Sequence, residues 1–209
     1  MIRATAVDAA AESPSGPGGT TRVAPREIRD VAYRAVRVAG ASGGEATLAA
    51  RAVLCAQLHE TTPDGVAALL DELARVRPVR IGARFTPGAV PALQDPAGRG
   101  LFFAVPAGVE HLLAHPEVTA VLLPGLRLRP AATALAAVTA GPRAGEVEVV
   151  DPPGWHTAGI LVRRTPPGHP CRVGEQVPIS DAETAGVLLD TEQWAAAQAA
   201  ACAYLVPDP

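Results

Sequence analysis

The chain has no lysine and no asparagine; its 18 basic residues are all arginine. Without a lysine amine no Schiff base can form, which excludes pyridoxal-phosphate and lysine-based aldol chemistry. A Walker A loop is excluded for the same reason, because its lysine is what reaches the phosphates. Aromatic residues make up only 3% of the chain, too few for a base-stacking surface. The three cysteines, Cys55, Cys171 and Cys202, include no C-x-x-C pair; so sparse and odd a set reads as reduced thiols in a cytosolic protein. No apolar run reaches the roughly 18 residues a membrane span needs. The opening MIRATAVDAAAESPSG carries no apolar signal-peptide core. A net charge of −3 gives no electrostatic footing for nucleic acid or an anionic membrane. No G-x-G-x-x-G stretch joins a strand to a helix, so the dinucleotide fingerprint is missing. The expectation is a cytoplasmic protein with no nucleic-acid partner, no membrane partner and no cofactor.

What remains is a globular chain. Its 209 residues are 48% apolar and 19% charged, enough to bury a large core. The excess of Ala, Gly, Pro and Arg matches a GC-rich bacterial genome. Residues 1–24, with SPSGPGGTT, have too little apolar surface to offset ordering entropy and read as a disordered tail. From Pro25 the apolar residues Ile28, Val31, Ala32, Ala35 and Val38 recur at helical spacing, with Gly40 as the stop. A second, alanine-rich helix covers 44–58. A third starts after TTPDG, with Thr62 as N-cap and Pro63 in the first turn, and runs to Val76 through Val66, Leu69, Leu70 and Leu73. These form a helical unit over 25–77.

Residues 78–189 mix short strands and helices. GRGLFFAVP, VTAVLLPG, GEVEVVDP and TAGILVRRTP read as strands, VRIGARF as a weak one. AGVEHLLAHP and RPAATALAAVTAG read as helices. A last helix, TEQWAAAQAAACAYL, spans 190–205 from an N-cap at Thr191 or Asp190. The order predicts one α+β domain over 25–209, with a central mixed sheet and the last helix docked on the core through Trp194, Ala197 and Ala201.

The polar residues form no complete catalytic motif. His59 and Asp64 lie in AQLHETTPDG, directly before an amphipathic helix. His156 follows the turn DPPGW, where Trp155 could form one wall of a small-molecule pocket. Arg163 and Arg164 end an apolar strand; such a pair can grip a carboxylate or phosphate bidentately, although alternation sends one to each face. His111 and His115 stand four apart, as zinc ligands do. Leu112 occupies the place of the glutamate that such motifs carry, so the pair reads as a solvated helix face and no metal is expected. His169 and Cys171 suggest a Cys–His nucleophile, but no third residue orients them.

Two resemblances follow from these stretches. PREIRDVAYRAVRVAGASGGEATLAARAVLCAQLHE resembles the opening helices of an uncharacterised bacterial domain-of-unknown-function family of about 200 residues. VLLDTEQWAAAQAAACAYLVP resembles that family's closing W…A…Y-V-P segment, at Trp194, Ala200, Tyr204, Val206 and Pro207, with Leu205 interposed. The same opening helices resemble those of the malate/L-lactate dehydrogenase family that lacks a Rossmann fold. Its motif S-H-G-x-x-R would fall on PDGVAA, where Pro63 replaces the serine, Asp64 the histidine and Ala68 the arginine; only Gly65 is kept. The resemblance therefore implies a scaffold without its proton-handling and carboxylate-binding groups. It leads to a binding or accessory biosynthetic protein for a small molecule or a partner protein, not an NAD-dependent dehydrogenase. The alternatives are a small enzyme of another reaction type, using His59, Asp64, His156 and Arg163/Arg164, and a structural subunit that homodimerises through its alanine-rich helices.

Overall fold

A computed structural model describes residues 19–59, 62–75, 84–94, 100–152, 159–166 and 179–205. In chain order its elements are β1 (Thr20–Val23), α1 (Pro25–Val38), α2 (Gly43–Gln57), α3 (Gly65–Leu73), β2 (Arg84–Phe85), β3 (Leu93–Gln94), α4 (Leu101–Ala114), β4 (Ala120–Pro124), α5 (Pro130–Ala140), β5 (Val147–Val150), β6 (Gly159–Arg164), α6 (Ile179–Ala185), β7 (Val187–Asp190) and α7 (Thr191–Cys202). This is an α+β fold of helices and small, mainly antiparallel sheets.

Local chemistry sets the ends of the first two helices. At the start of α1 the Glu27 carboxylate accepts the Ala24 N–H at 3.0 Å. Its end is a Schellman turn around Gly40 (φ +94°): Ala41 N–H donates to Val36 O at 3.2 Å and Gly40 N–H to Arg37 O at 2.9 Å. Val38, expected on the apolar face, is exposed, and Val36 is buried in its place. A capping box opens α2. Glu45 N–H donates to Ser42 Oγ at 3.3 Å, and Ser42 N–H donates to Glu45 Oε2 at 2.7 Å.

Helix α2 packs against α1 on one side and α5 on the other. Its alanines make both approaches possible. Ala46, Ala49 and Ala50 join Val53 in a core with α1, α3, α7, β1 and β7. Ala52 and Ala56 join a second core built on α4, α5 and the three-stranded sheet.

That sheet has the order β4-β6-β5, all neighbours antiparallel. Val121, Val162 and Val149 lie opposite one another across the three strands, and Leu123 faces Ile160. All five are buried. The second core lies on this face, and α4 and α5 pack on it. Gly108 permits the approach of α4: a Cβ there would stand 3.1 Å from Leu123 Cδ2. The hairpin β2–β3 joins the sheet's edge through a parallel bridge between Ala92 and Leu122.

The structure corrects three expectations. LFFAVP is not a strand but the first turns of α4. Leu101, Ala104, Val105, Gly108, Val109 and Leu112 are buried, and their spacing is that of one helix face. The supposed tail of residues 1–24 contains β1, which pairs with β7 from Thr20↔Asp190 to Val23↔Val187. Neither β7 nor α6 was anticipated. The third helix begins at Gly65, with Asp64 as its N-cap residue; Thr62 and Pro63 lie outside it because the chain is still turning there.

The last helix docks as expected. Asp190 is its N-cap and accepts the Gln193 N–H at 2.9 Å. Trp194, Ala197 and Ala201 are buried, and α7 packs on α1 and α3. Among the described residues, no helix is long and apolar enough to cross a membrane.

Candidate functional site

The polar residues of the α2–α3 turn sit where helix starts meet. Gly65 begins α3 in close contact with α2: a Cβ would fall 2.0 Å from the carbonyl oxygen of Val53. This contact requires glycine. The buried Gln57, at the end of α2, turns its Oε1 to accept the Val66 N–H at 3.0 Å, which satisfies a donor in the first turn of α3.

Asp64 makes no side-chain cap to its own helix. Its Oδ2 instead accepts Arg129 Nε at 2.6 Å, and Arg129 Nη1 donates to Asp71 Oδ2 at 2.9 Å. Arg129 is the N-cap residue of α5, so this cation ties α5 to both ends of α3. Burial acts against the Arg129 charge, but the hydrogen bonds it donates to Asp64 and Asp71 outweigh it and hold the guanidinium pKa above its ordinary value. The other Asp64 oxygen, Oδ1, is buried with no hydrogen-bond partner.

Glu72, one residue after Asp71, is 3% exposed. Its Oε2 accepts the Leu101 N–H at 2.5 Å and so caps α4. Gly100 (φ +74°) allows this: a Cβ there would overlap the Glu72 carboxylate. Burial pushes the Glu72 pKa up, against the lowering effects of the Leu101 N–H, Arg75 and Arg129.

Among the described residues, those singled out in the sequence have separate hydrogen-bond partners. His59 Nδ1 accepts the Thr62 N–H at 3.3 Å, which puts the proton of the neutral ring on Nε2. Arg163 pairs with Glu148, its cross-strand partner, at 2.8 Å. Arg164 donates to Leu112 O at 2.6 Å, Val118 O at 3.1 Å and His115 O at 3.3 Å. It therefore closes the C-terminal end of α4. Among the described residues, Arg163 thus serves the sheet and Arg164 a helix end. Trp155, His156, His169 and Cys171 lie outside the described residues. Cys55 is partly buried, and burial raises its thiol pKa more than Arg51 lowers it, which suppresses the thiolate.

Gln57, Glu72 and Arg129 were not anticipated as site residues. Glu72 reaches a partner 29 residues away and Arg129 one 65 residues away, so neither contact has a local sequence signal. Gln57 was within reach of inference, as a polar residue on an otherwise apolar helix end just before a turn.

Three positions of the turn, Pro63, Asp64 and Ala68, have clear environments. Pro63 is exposed, Asp64 is bound to Arg129, and Ala68 is fully buried in the second core. No protein-family model, curated protein or solved structure matches this chain.

Proposed function

We propose that this chain is a soluble, cytoplasmic binding protein, an accessory component of a biosynthetic route. In this reading it keeps the helical scaffold of the malate/L-lactate dehydrogenase type and has lost that chemistry. The observation that carries the reading is the use made of the motif positions. Where the family's arginine would hold a substrate carboxylate, Ala68 is 0% exposed and cannot present a cation to a ligand. Where its histidine would move a proton, Asp64 is engaged by Arg129. An acid–base group must reach the proton it transfers, and the Asp64 Oδ2 is already taken by the Arg129 guanidinium. The turn serves helix termination, and binding falls to other surfaces.

The test has two arms. Titration with NADH, followed by nicotinamide fluorescence, should give no saturable binding, and 2-hydroxy acids should not be oxidised. A thermal-shift screen of small metabolites should find a ligand that raises the melting temperature and is recovered unchanged. Turnover of any substrate that His59→Ala or Asp64→Asn abolishes while the protein stays folded would overturn the reading in favour of an enzyme.

A further inference from the structure

We propose that His111 and His115 form a chelating site for a borderline transition-metal dication of the zinc and copper class, with Glu117 as its positioning residue. The spacing alone says only that the two side chains share a face of α4. The structure adds three observations. The imidazoles are neighbours, with ring centroids 4.4 Å apart and planes tilted by 41°. Phe85 stacks on His111, with ring centroids 3.9 Å apart and planes at 16°, which limits the freedom of that ring. Glu117 Oε1 lies 3.2 Å from His115 Nδ1.

The last contact decides which nitrogen is available. An ionised carboxylate accepts a hydrogen bond from a neutral imidazole N–H and cannot donate one. Nδ1 of His115 is therefore the N–H donor, and the lone pair stands on Nε2. This is the carboxylate–histidine arrangement that orients ligands at metal centres. Two nitrogens bound to one tetrahedral ion at ~2.0–2.1 Å lie roughly 3.3 Å apart. With ring centroids 4.4 Å apart, the two imidazoles are within the span that one ion bridges. Neutral imidazole ligands favour zinc or copper, and magnesium prefers oxygen. The field of the helix end does not supply the affinity, because Arg164 already occupies the terminal carbonyls at Leu112 and His115. Binding must come from the ligand bonds. Two protein nitrogens leave the other coordination positions to water or to an external ligand.

The experiment is calorimetric titration of the full, untagged chain with zinc chloride, copper chloride and magnesium chloride. Zinc or copper should saturate at one equivalent, and magnesium should give no binding. His111→Ala and His115→Ala should each abolish that equivalent. The more conservative His111→Gln and His115→Gln should do the same with unchanged circular dichroism, which separates ligand loss from unfolding. Glu117→Gln should weaken binding by about 10- to 100-fold, the usual loss when an orienting carboxylate is removed. Histidine ring proton resonances should shift on adding zinc for these two residues and not for His59. Zinc binding that survives in the His111/His115 double variant, or the absence of any saturable zinc or copper binding, would overturn the proposal.

Discussion

Glu72 offers the sharpest test of how this fold holds its helices. Its carboxylate is buried and accepts the Leu101 N–H at 2.5 Å, and Arg75 is 3.8 Å from its other oxygen. Two consequences oppose each other. The acceptor satisfies a donor at the start of α4, and an orphaned buried N–H costs about 1–3 kcal/mol. The buried charge is itself unfavourable, which is why the folded-state pKa is raised. The sign follows from linkage. A carboxyl that holds its proton more tightly when folded contributes most to stability below its unfolded pKa. That contribution is lost as pH rises through the folded value. Glu72→Gln keeps an acceptor and removes the charge; its amide then faces Arg75, which is more than half exposed and free to turn to water. At neutral pH the glutamine variant should be at least as stable as the parent, and the difference should shrink on acidification toward the ordinary carboxylate range. Glu72→Ala removes acceptor and charge together; its deficit should be about 1–3 kcal/mol at low pH, set by the stranded N–H, and should narrow as pH rises and the parent takes on the buried charge. Guanidinium melts across a pH series measure both. If glutamine proves as damaging as alanine at neutral pH, the charge and not the acceptor is what α4 requires, and the reasoning fails.

Three further outcomes are expected. Gly100→Ala should destabilise strongly, because it combines positive φ with overlap on the Glu72 carboxylate, whereas Gly125→Ala, at nearly the same φ (+73°) with open space around it, should cost only the backbone strain of about 1–3 kcal/mol; thermal melts of the pair isolate the steric part. Arg129→Ala should cost more than Asp64→Asn in denaturant melts, because it strands two carboxylates where the asparagine keeps an acceptor for the guanidinium; the range for a lost charged hydrogen bond is about 1.5–3 kcal/mol. Ser42→Ala should lose about 1 kcal/mol as a true N-cap, while Thr62→Ala should stay within about 0.5 kcal/mol, since Thr62 lies outside the helix start.

Most helices were legible because their signals are local. The apolar period of α1 ends at Gly40 where a left-handed residue is needed, and α5 begins at Pro130, where a missing N–H costs nothing. The Ser42–Glu45 box is equally local and was available to a closer reading. The first turns of α4 were not legible in this way. Phe102, Phe103 and Val105 have high strand propensity, and a short apolar run ending in proline does not distinguish strand from helix. Its start signal comes from Glu72, far back in the chain. Strands β1 and β7 were hidden for a related reason: each is four residues long, and they pair across nearly the whole sequence.

The same division explains why the partners of the α2–α3 turn residues are not legible in the sequence. HETTPDG has the composition of an active-site loop, and composition cannot say where each side chain is used. Gln57, Asp64 and Glu72, all on α2, α3 or the turn between them, are committed to the starts of α3, α5 and α4 respectively. The need for them arises from the packing. Helices built largely of alanine approach closely, which brings their unpaired N–H ends into the interior. Water is excluded there, so the donors must find protein acceptors. The chain meets this need with the buried Gln57 and Glu72, which accept the Val66 and Leu101 N–H groups, while Asp64 holds the Arg129 side chain; these side chains are then not free to handle a substrate. The two imidazoles at the far end of α4 carry no such duty. Arg164 closes the carbonyls of Leu112 and His115, and among the described residues the rings lie against each other, Phe85 and Glu117. Free donor atoms are therefore to be sought there, away from the turn that the sequence makes conspicuous.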